Sequence, residues 1–112
     1  GEVRGNLIAA NYLDGLRLRE GALEVRGNYI SGNRYGLTVA YAVYGEYSGN
    51  VLSGNGESGL VLKGTDGVHV RGNHVSGNGG NGISVLDSAA LISGNQLVGN
   101  GERGLGLNVQ TK

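Results

Sequence analysis

Residues 49–62 read Gly49-Asn50-Val51-Leu52-Ser53-Gly54-Asn55-Gly56-Glu57-Ser58-Gly59-Leu60-Val61-Leu62, and this stretch decides the fold. It holds two Gly-Asn pairs five residues apart, then a Gly that opens an aliphatic triplet. Outward from it in both directions the same order returns. The first Gly-Asn pair recurs at Asn6, Asn28, Asn50, Asn73 and Asn95, in steps of 22, 22, 23 and 22 residues. The second Asn follows at Asn11, Asn33, Asn55, Asn78 and Asn100, and the Gly at Gly15, Gly36, Gly59, Gly82 and Gly104. Three landmarks in five copies at a fixed spacing make an internal repeat, the sequence mark of a solenoid.

Inside each copy the apolar period is two, the period of a strand whose side chains alternate between faces. After the Gly come Leu16-Arg17-Leu18, Leu37-Thr38-Val39, Leu60-Val61-Leu62, Ile83-Ser84-Val85 and Leu105-Gly106-Leu107. With the outer two residues of each triplet turned inward, they form two aliphatic columns. Val3, Val25, Tyr47, Val70 and Ile92 form another column before the first Asn, and Ile8, Ile30, Leu52, Val75 and Leu97 one between the two Asn. Three short strands per repeat describe one coil of a three-faced tube. One coil cannot bury its own inner face. Coils stacked about 4.8 Å apart make the columns continuous and pair each strand with the next. The predicted fold is all-β: a single-stranded parallel β-helix of about five coils of 22–23 residues, with little or no helix.

Composition agrees with a narrow aliphatic interior. Of 112 residues 24 are Gly, Pro, Cys, Met, Trp and Phe are absent, and the apolar share is 38%. Nine basic residues balance nine acidic ones, which argues against nucleic acid or an anionic membrane surface as partner. No apolar run approaches the length of a membrane span, and no stretch of these residues reads as a signal peptide. Without Cys there is neither a disulfide framework nor a thiolate metal site.

The repeated Asn have a physical role. A turn Asn tolerates unusual backbone angles, and its amide both donates and accepts, so it can bond the Asn above and below and stitch one corner of the tube. The Gly before it supplies positive φ. No Asn stands in an Asn-X-Ser/Thr sequon. With these residues in view, the chain resembles the parallel β-helix repeats of the pectate-lyase-like superfamily. More narrowly it is similar to the coils of carbohydrate-binding and sugar-hydrolase proteins and of NosD-like periplasmic proteins. The resemblance implies right-handed winding, which agrees with the general hand of parallel crossovers, and an extracellular or periplasmic setting. It leaves function open, because the same coils occur in lyases, epimerases, hydrolases, tailspikes and plain scaffolds.

The outward rows carry the search for chemistry. One row is Glu2, Glu24, Glu46, His69 and Leu91, beside Arg4, Arg26, Ser48, Arg71 and Ser93. Stacked Glu24 and Glu46 would suit a retaining glycosidase pair in spacing. A general acid needs a raised pKa, however, and neighbouring Arg push the other way. A solvated checkerboard of charges is the expected role. The face that related enzymes use carries Arg17, Thr38, Val61, Ser84 and Gly106, with no acid, while Asp66 and Asp87 are expected in turns. His69 and His74 are separated by a turn and lack further ligands, so no metal or cofactor is expected. Asn55-Gly56, Asn78-Gly79 and Asn100-Gly101 read as turns, since no phosphate-loop Lys follows.

Tyrosine placement is what the repeat does not explain. Tyr29, Tyr35, Tyr41, Tyr44 and Tyr47 fall within 19 residues, and Gly45 stands where other coils have Leu23, Val68 or Ala90. Tyr41, Val43 and Tyr44 are expected to form a bulged turn. Tyr35, Tyr41 and Tyr44 are the candidate substrate-binding residues, as an aromatic platform for a polysaccharide. Neither end of the chain reads as a capping coil, so residues 1–112 are expected to be one domain of a longer solenoid, or to self-associate end to end. The expected function is a non-catalytic scaffold or carbohydrate-binding module. The alternatives are a fragment of a polysaccharide lyase, hydrolase or epimerase with its site elsewhere, and a self-stacking structural segment.

Overall fold

The computed structural model describes residues 2–9, 14–19, 22–41, 44–86, 88–102 and 105–108. Three strands make each rung. The first rung is β1 (Glu2–Arg4), β2 (Leu7–Ala9) and β3 (Asp14–Arg19), and the second is β4 (Ala22–Arg26), β5 (Tyr29–Ser31) and β6 (Tyr35–Ala40). The third is β7 (Tyr44–Ser48), β8 (Val51–Ser53) and β9 (Leu60–Lys63). The fourth is β10 (Asp66–Arg71), β11 (His74–Ser76) and β12 (Ile83–Leu86), and the fifth β13 (Ala89–Ser93), β14 (Gln96–Val98) and β15 (Leu105–Asn108). Every third strand pairs in parallel, giving sheets β1-β4-β7-β10-β13, β2-β5-β8-β11-β14 and β3-β6-β9-β12-β15. There is no helix among the described residues. The five rungs amount to about four turns of winding from first to last, slightly fewer than the about five coils expected from the repeat count.

The columns fall where a period of two puts them. Val25, Ile30, Leu37, Val39, Leu52, Leu60, Leu62, Val70, Val75 and Ile83 have no exposed surface. Each such side chain contributes roughly 1.5–3 kcal/mol by leaving water, and each finds its partners on the rungs above and below.

Two corners are stitched by asparagine, not the one expected. Asn28, Asn50 and Asn73 are buried at the corner after the first sheet, and Asn33, Asn55 and Asn78 at the corner after the second. The bonding repeats at the three inner rungs. Asn50 Nδ2 donates to Asn73 Oδ1 at 3.0 Å and to the Val25 carbonyl at 3.0 Å. Its Oδ1 accepts from the Asn28 backbone N–H and from Asn28 Nδ2, both at 3.0 Å. Both amide hydrogens and both acceptor sites of the side chain are therefore used. The preceding Gly turns the chain into the corner with positive φ, 68° at Gly27 and 64° at Gly49.

The third corner, between the third sheet and the first sheet of the next rung, shows no such ladder among the described residues. Thr65 N–H donates to Ser88 Oγ at 3.0 Å there. Tyr41 has φ of 58°, the one non-glycine in the left-handed region among the described residues. The bulged turn expected at Tyr41–Tyr44 lies partly outside the described residues, at 42–43. A bulge is seen one rung on, where Asp66 pairs Ala89 and Val68 pairs Ala90, with Gly67 at φ 76°. This corrects the place of Asp66, which begins β10 instead of sitting in a turn, because the bulge takes up the extra residue. Asp87 lies outside the described residues.

Gly45 is explained by Tyr47. Gly45 pairs Leu23 and Val68 in register, and a Cβ placed on it would lie 2.6 Å from the Tyr47 hydroxyl oxygen and 2.8 Å from Cε2. The Tyr47 ring lies against Gly45 in the interior, at the register position where the next rung has the buried Val68. Burial pushes the Tyr47 phenol up to about 12 from an ordinary 10.0. A raised folded-state value means that stability is full below pH 10 and falls as pH rises toward 12. Unfolding followed by circular dichroism should show a loss on the order of 2 kcal/mol across that window. Tyr47→Phe, which removes the ionisable hydroxyl, should show none of it.

Candidate functional site

The charged rows lie on the outer face of the first sheet, in the expected register: Glu2 pairs Glu24, Glu24 pairs Glu46, and Glu46 pairs His69. Arg26 Nη2 reaches Glu2 Oε2 and Glu24 Oε2, each at 3.0 Å, and Arg71 Nε donates to Glu46 Oε1 at 3.0 Å. The hydrogen bond from Arg26 holds the Glu2 carboxyl below its ordinary value, and that from Arg71 does the same for Glu46. A general acid requires the opposite shift. These exposed pairs form an alternating ion ladder whose members are each worth little.

The outer row of the third sheet is in register, Arg17 to Thr38 to Val61 to Ser84 to Gly106. Its last two positions are not open to solvent as their outward parity suggested. Ser84 and Gly106 are buried. Asn81 Nδ2 donates to Ser84 Oγ at 3.0 Å, Ser58 Oγ lies 3.0 Å from it, and Asn81 also covers Gly106. The turns before β9 and β12 fold back over that end of the sheet, which strand parity does not reveal.

The three candidate tyrosines do not form one cluster. Tyr35 opens β6 and Tyr41 follows its last residue, so they are about 20 Å apart at strand rise. Tyr35 is engaged at its own corner: Arg34 Cζ stands 5.6 Å from the ring centroid, and the hydroxyl bonds Glu57, which Arg34 Nε also meets at 2.8 Å. That hydrogen bond from Arg34 is the main reason the Glu57 carboxyl sits below its ordinary value. Tyr41 and Tyr44 flank the third corner, at 47% and 66% exposure. The Tyr41 ring is held by Arg19 of the preceding rung, Cζ 5.4 Å from the centroid, and by Gly64 of the next, where a Cβ would lie 2.7 Å from Cδ1. Tyr44 shares the outer parity of Glu46 and projects from the start of β7.

The outer face of the second sheet carries a feature passed over in the sequence. Leu7, Tyr29, Val51, His74 and Gln96 form one row, and Ala9, Ser31, Ser53, Ser76 and Val98 the other. Leu7 is 75% exposed and Tyr29 47%. The signal was available: the first and third residues after each Asn of the first ladder include no Asp, Glu, Lys or Arg in any of five copies. His74 Nδ1 lies 2.9 Å from Gln96 Oε1 within that row.

Among the described residues, no three His, Cys, Asp or Glu gather as a metal site would need, and no helix is long and apolar enough to cross a membrane. The model of the right-handed β-helix region matches residues 1–111 of the chain. No curated protein and no solved structure matches it.

Proposed function

The chain belongs to the right-handed β-helix region family, and on that premise we propose that it is a non-catalytic β-helical scaffold that binds a polysaccharide through the tyrosines of its third corner. The observation that supports this is the pair Tyr41 and Tyr44 beside that corner. Tyr41 is kept in a left-handed conformation that costs on the order of 1–3 kcal/mol for a non-glycine residue, with its ring fixed between Arg19 and Gly64. Tyr44 leaves two thirds of its surface in water. An exposed phenol on a rigid wall offers apolar area with a polar tip, which suits the C–H face and hydroxyl edge of a sugar ring. The ion ladder supports a non-catalytic reading, because Arg71 drives Glu46 away from the protonated state a general acid needs. The resemblance to periplasmic and extracellular β-helices points to one of those settings.

The test is retention on polysaccharide in affinity electrophoresis. Wild type should be retarded, and Tyr44→Ala should weaken retention about tenfold, in line with roughly 0.5–1.5 kcal/mol for an aromatic contact beyond its buried area. Its thermal midpoint should be unchanged, because the side chain faces solvent. Turnover of a uronate-containing polymer by the purified chain would overturn the non-catalytic reading.

A further inference from the structure

We infer that the outer face of the second sheet is a separate binding surface for one chain of an uncharged polysaccharide, laid along the solenoid axis. The inference rests on the carbohydrate-binding reading but on none of its residues. The chemistry comes from two files in register. Leu7, Tyr29 and Val51 make an apolar strip over the first three rungs. Beside them Ser31, Ser53 and Ser76 make a hydroxyl file over rungs two to four. Stacked strands repeat about every 4.8 Å, so a polymer lying along the axis meets apolar surface and a hydroxyl together at rungs two and three, with a further apolar position on rung one and a further hydroxyl on rung four. Tyr29 contributes a half-exposed ring to the strip.

Charge selects the ligand class. The ten outward positions of this sheet include no Asp, Glu, Lys or Arg, whereas the adjoining first sheet presents Glu2, Arg4, Glu24, Arg26, Glu46 and Arg71. A carboxylated or sulfated polymer would lose hydration on the neutral face without gaining an ion pair, an unfavourable exchange. A neutral, hydroxyl-rich polymer loses little and gains hydrogen bonds from the serine file. Area argues against a protein partner. Strands of three residues span about 10 Å, and four rung steps about 19 Å, for a face of roughly 200 Å². A stable protein interface needs about 800 Å² on each side. The face is long enough for several sugar rings and too narrow for a folded partner.

The experiment compares wild type, Tyr29→Ala, Ser53→Lys and Tyr44→Ala in affinity gels containing a β-1,4-glucan, a β-1,3-glucan, a mannan or polygalacturonate, at pH 8. Wild type should be retarded by at least one of the neutral polymers and more weakly by polygalacturonate. Tyr29→Ala and Ser53→Lys should each reduce that retardation tenfold or more. Both positions face outward, and circular dichroism melts should match wild type. Retardation by neutral polymer that survives both substitutions but is lost in Tyr44→Ala would overturn this inference and leave the corner reading standing. Loss in Tyr29→Ala and Ser53→Lys but not in Tyr44→Ala would support the second-sheet surface and sink the corner reading. Retardation by polygalacturonate alone would overturn the neutral-ligand assignment, and retardation by no polymer would overturn both readings.

Discussion

Asn50→Leu should destabilise the protein by about 3–5 kcal/mol, the largest loss expected from any single ladder position. Asn50 lies in the middle rung and is 1% exposed. Its removal breaks four hydrogen bonds: two to Asn28, one to Asn73 and one to the Val25 carbonyl. Leucine has similar size but returns nothing to those partners. The Asn28 backbone N–H is then left unmet in a corner closed to water, and Asn28 Nδ2, Asn73 Oδ1 and the Val25 carbonyl each lose one partner. A buried polar group left unsatisfied costs about 1–3 kcal/mol and a lost hydrogen bond about 0.5–1.5 kcal/mol, so one such group and three weakened partners account for the range. Against a usual total of about 5–15 kcal/mol, this would move a urea midpoint far down. Asn6→Leu is the internal comparison. Asn6 is exposed, and its amide donates only to Asn28 Oδ1 at 3.1 Å and to the Arg4 carbonyl at 3.2 Å. Its loss should be below about 1 kcal/mol. Equal losses at the two positions would show that the ladder contributes through turn propensity instead of through buried hydrogen bonds.

The second large effect separates two glycines that look alike in sequence. Gly56 and Gly79 both follow a second-ladder Asn, on successive rungs. Gly79→Ala would set a Cβ 2.2 Å from the Gly56 carbonyl oxygen and 3.1 Å from its carbon. Backbone on both sides has no rotamer with which to retreat, so the rungs must part locally. The expected cost is about 3 kcal/mol, at the upper end for overpacking. At Gly56 the nearest atom is the Asn33 carbonyl oxygen at 3.8 Å, an ordinary contact. Gly56→Ala should therefore be neutral, or stabilising by about 0.4–1 kcal/mol through reduced freedom of the unfolded chain. The difference comes from the rung beneath. The turn after Asn33 is one residue shorter than the turn after Asn55, reaching Gly36 in three steps where Asn55 reaches Gly59 in four. Parallel unfolding curves for the two variants in urea would check the prediction, and comparable losses would contradict it.

Much of the fold was legible because the repeat states it five times over. Val25, Ile30, Leu37 and Val39 could be assigned inward from their period, and the rungs that confirm them are copies of the same pattern. The ion ladder was legible for the same reason, since Glu24 over Glu46 needs only the 22-residue step. The candidate tyrosines were less so. Tyr35 and Tyr41 are six residues apart in sequence but sit at opposite ends of one strand, and nothing in their spacing says which ring meets Arg34, Arg19 or Gly64. Ser84 was expected to face outward and does, yet Asn81 and Ser58 close over it. Strand parity reports direction and cannot report what a turn later places on top.

By itself the sequence determined the winding: a parallel tube of three sheets, its interior aliphatic columns and the rung that each residue occupies. These follow from local periodicity repeated at constant step, where every copy makes the same demand and stacking is the one way to bury an inner face. Only the tertiary structure decided that two corners carry asparagine ladders, that the inward Tyr47 ring packs against Gly45, and that Tyr41 and Tyr35 serve different corners. Those outcomes depend on distances between rungs, such as the 2.6 Å between a Gly45 Cβ and the Tyr47 oxygen. Such distances arise from how unequal turns settle on one another. A pattern of residue types along the chain carries the order of the contacts, whereas their closeness is set when the rungs pack.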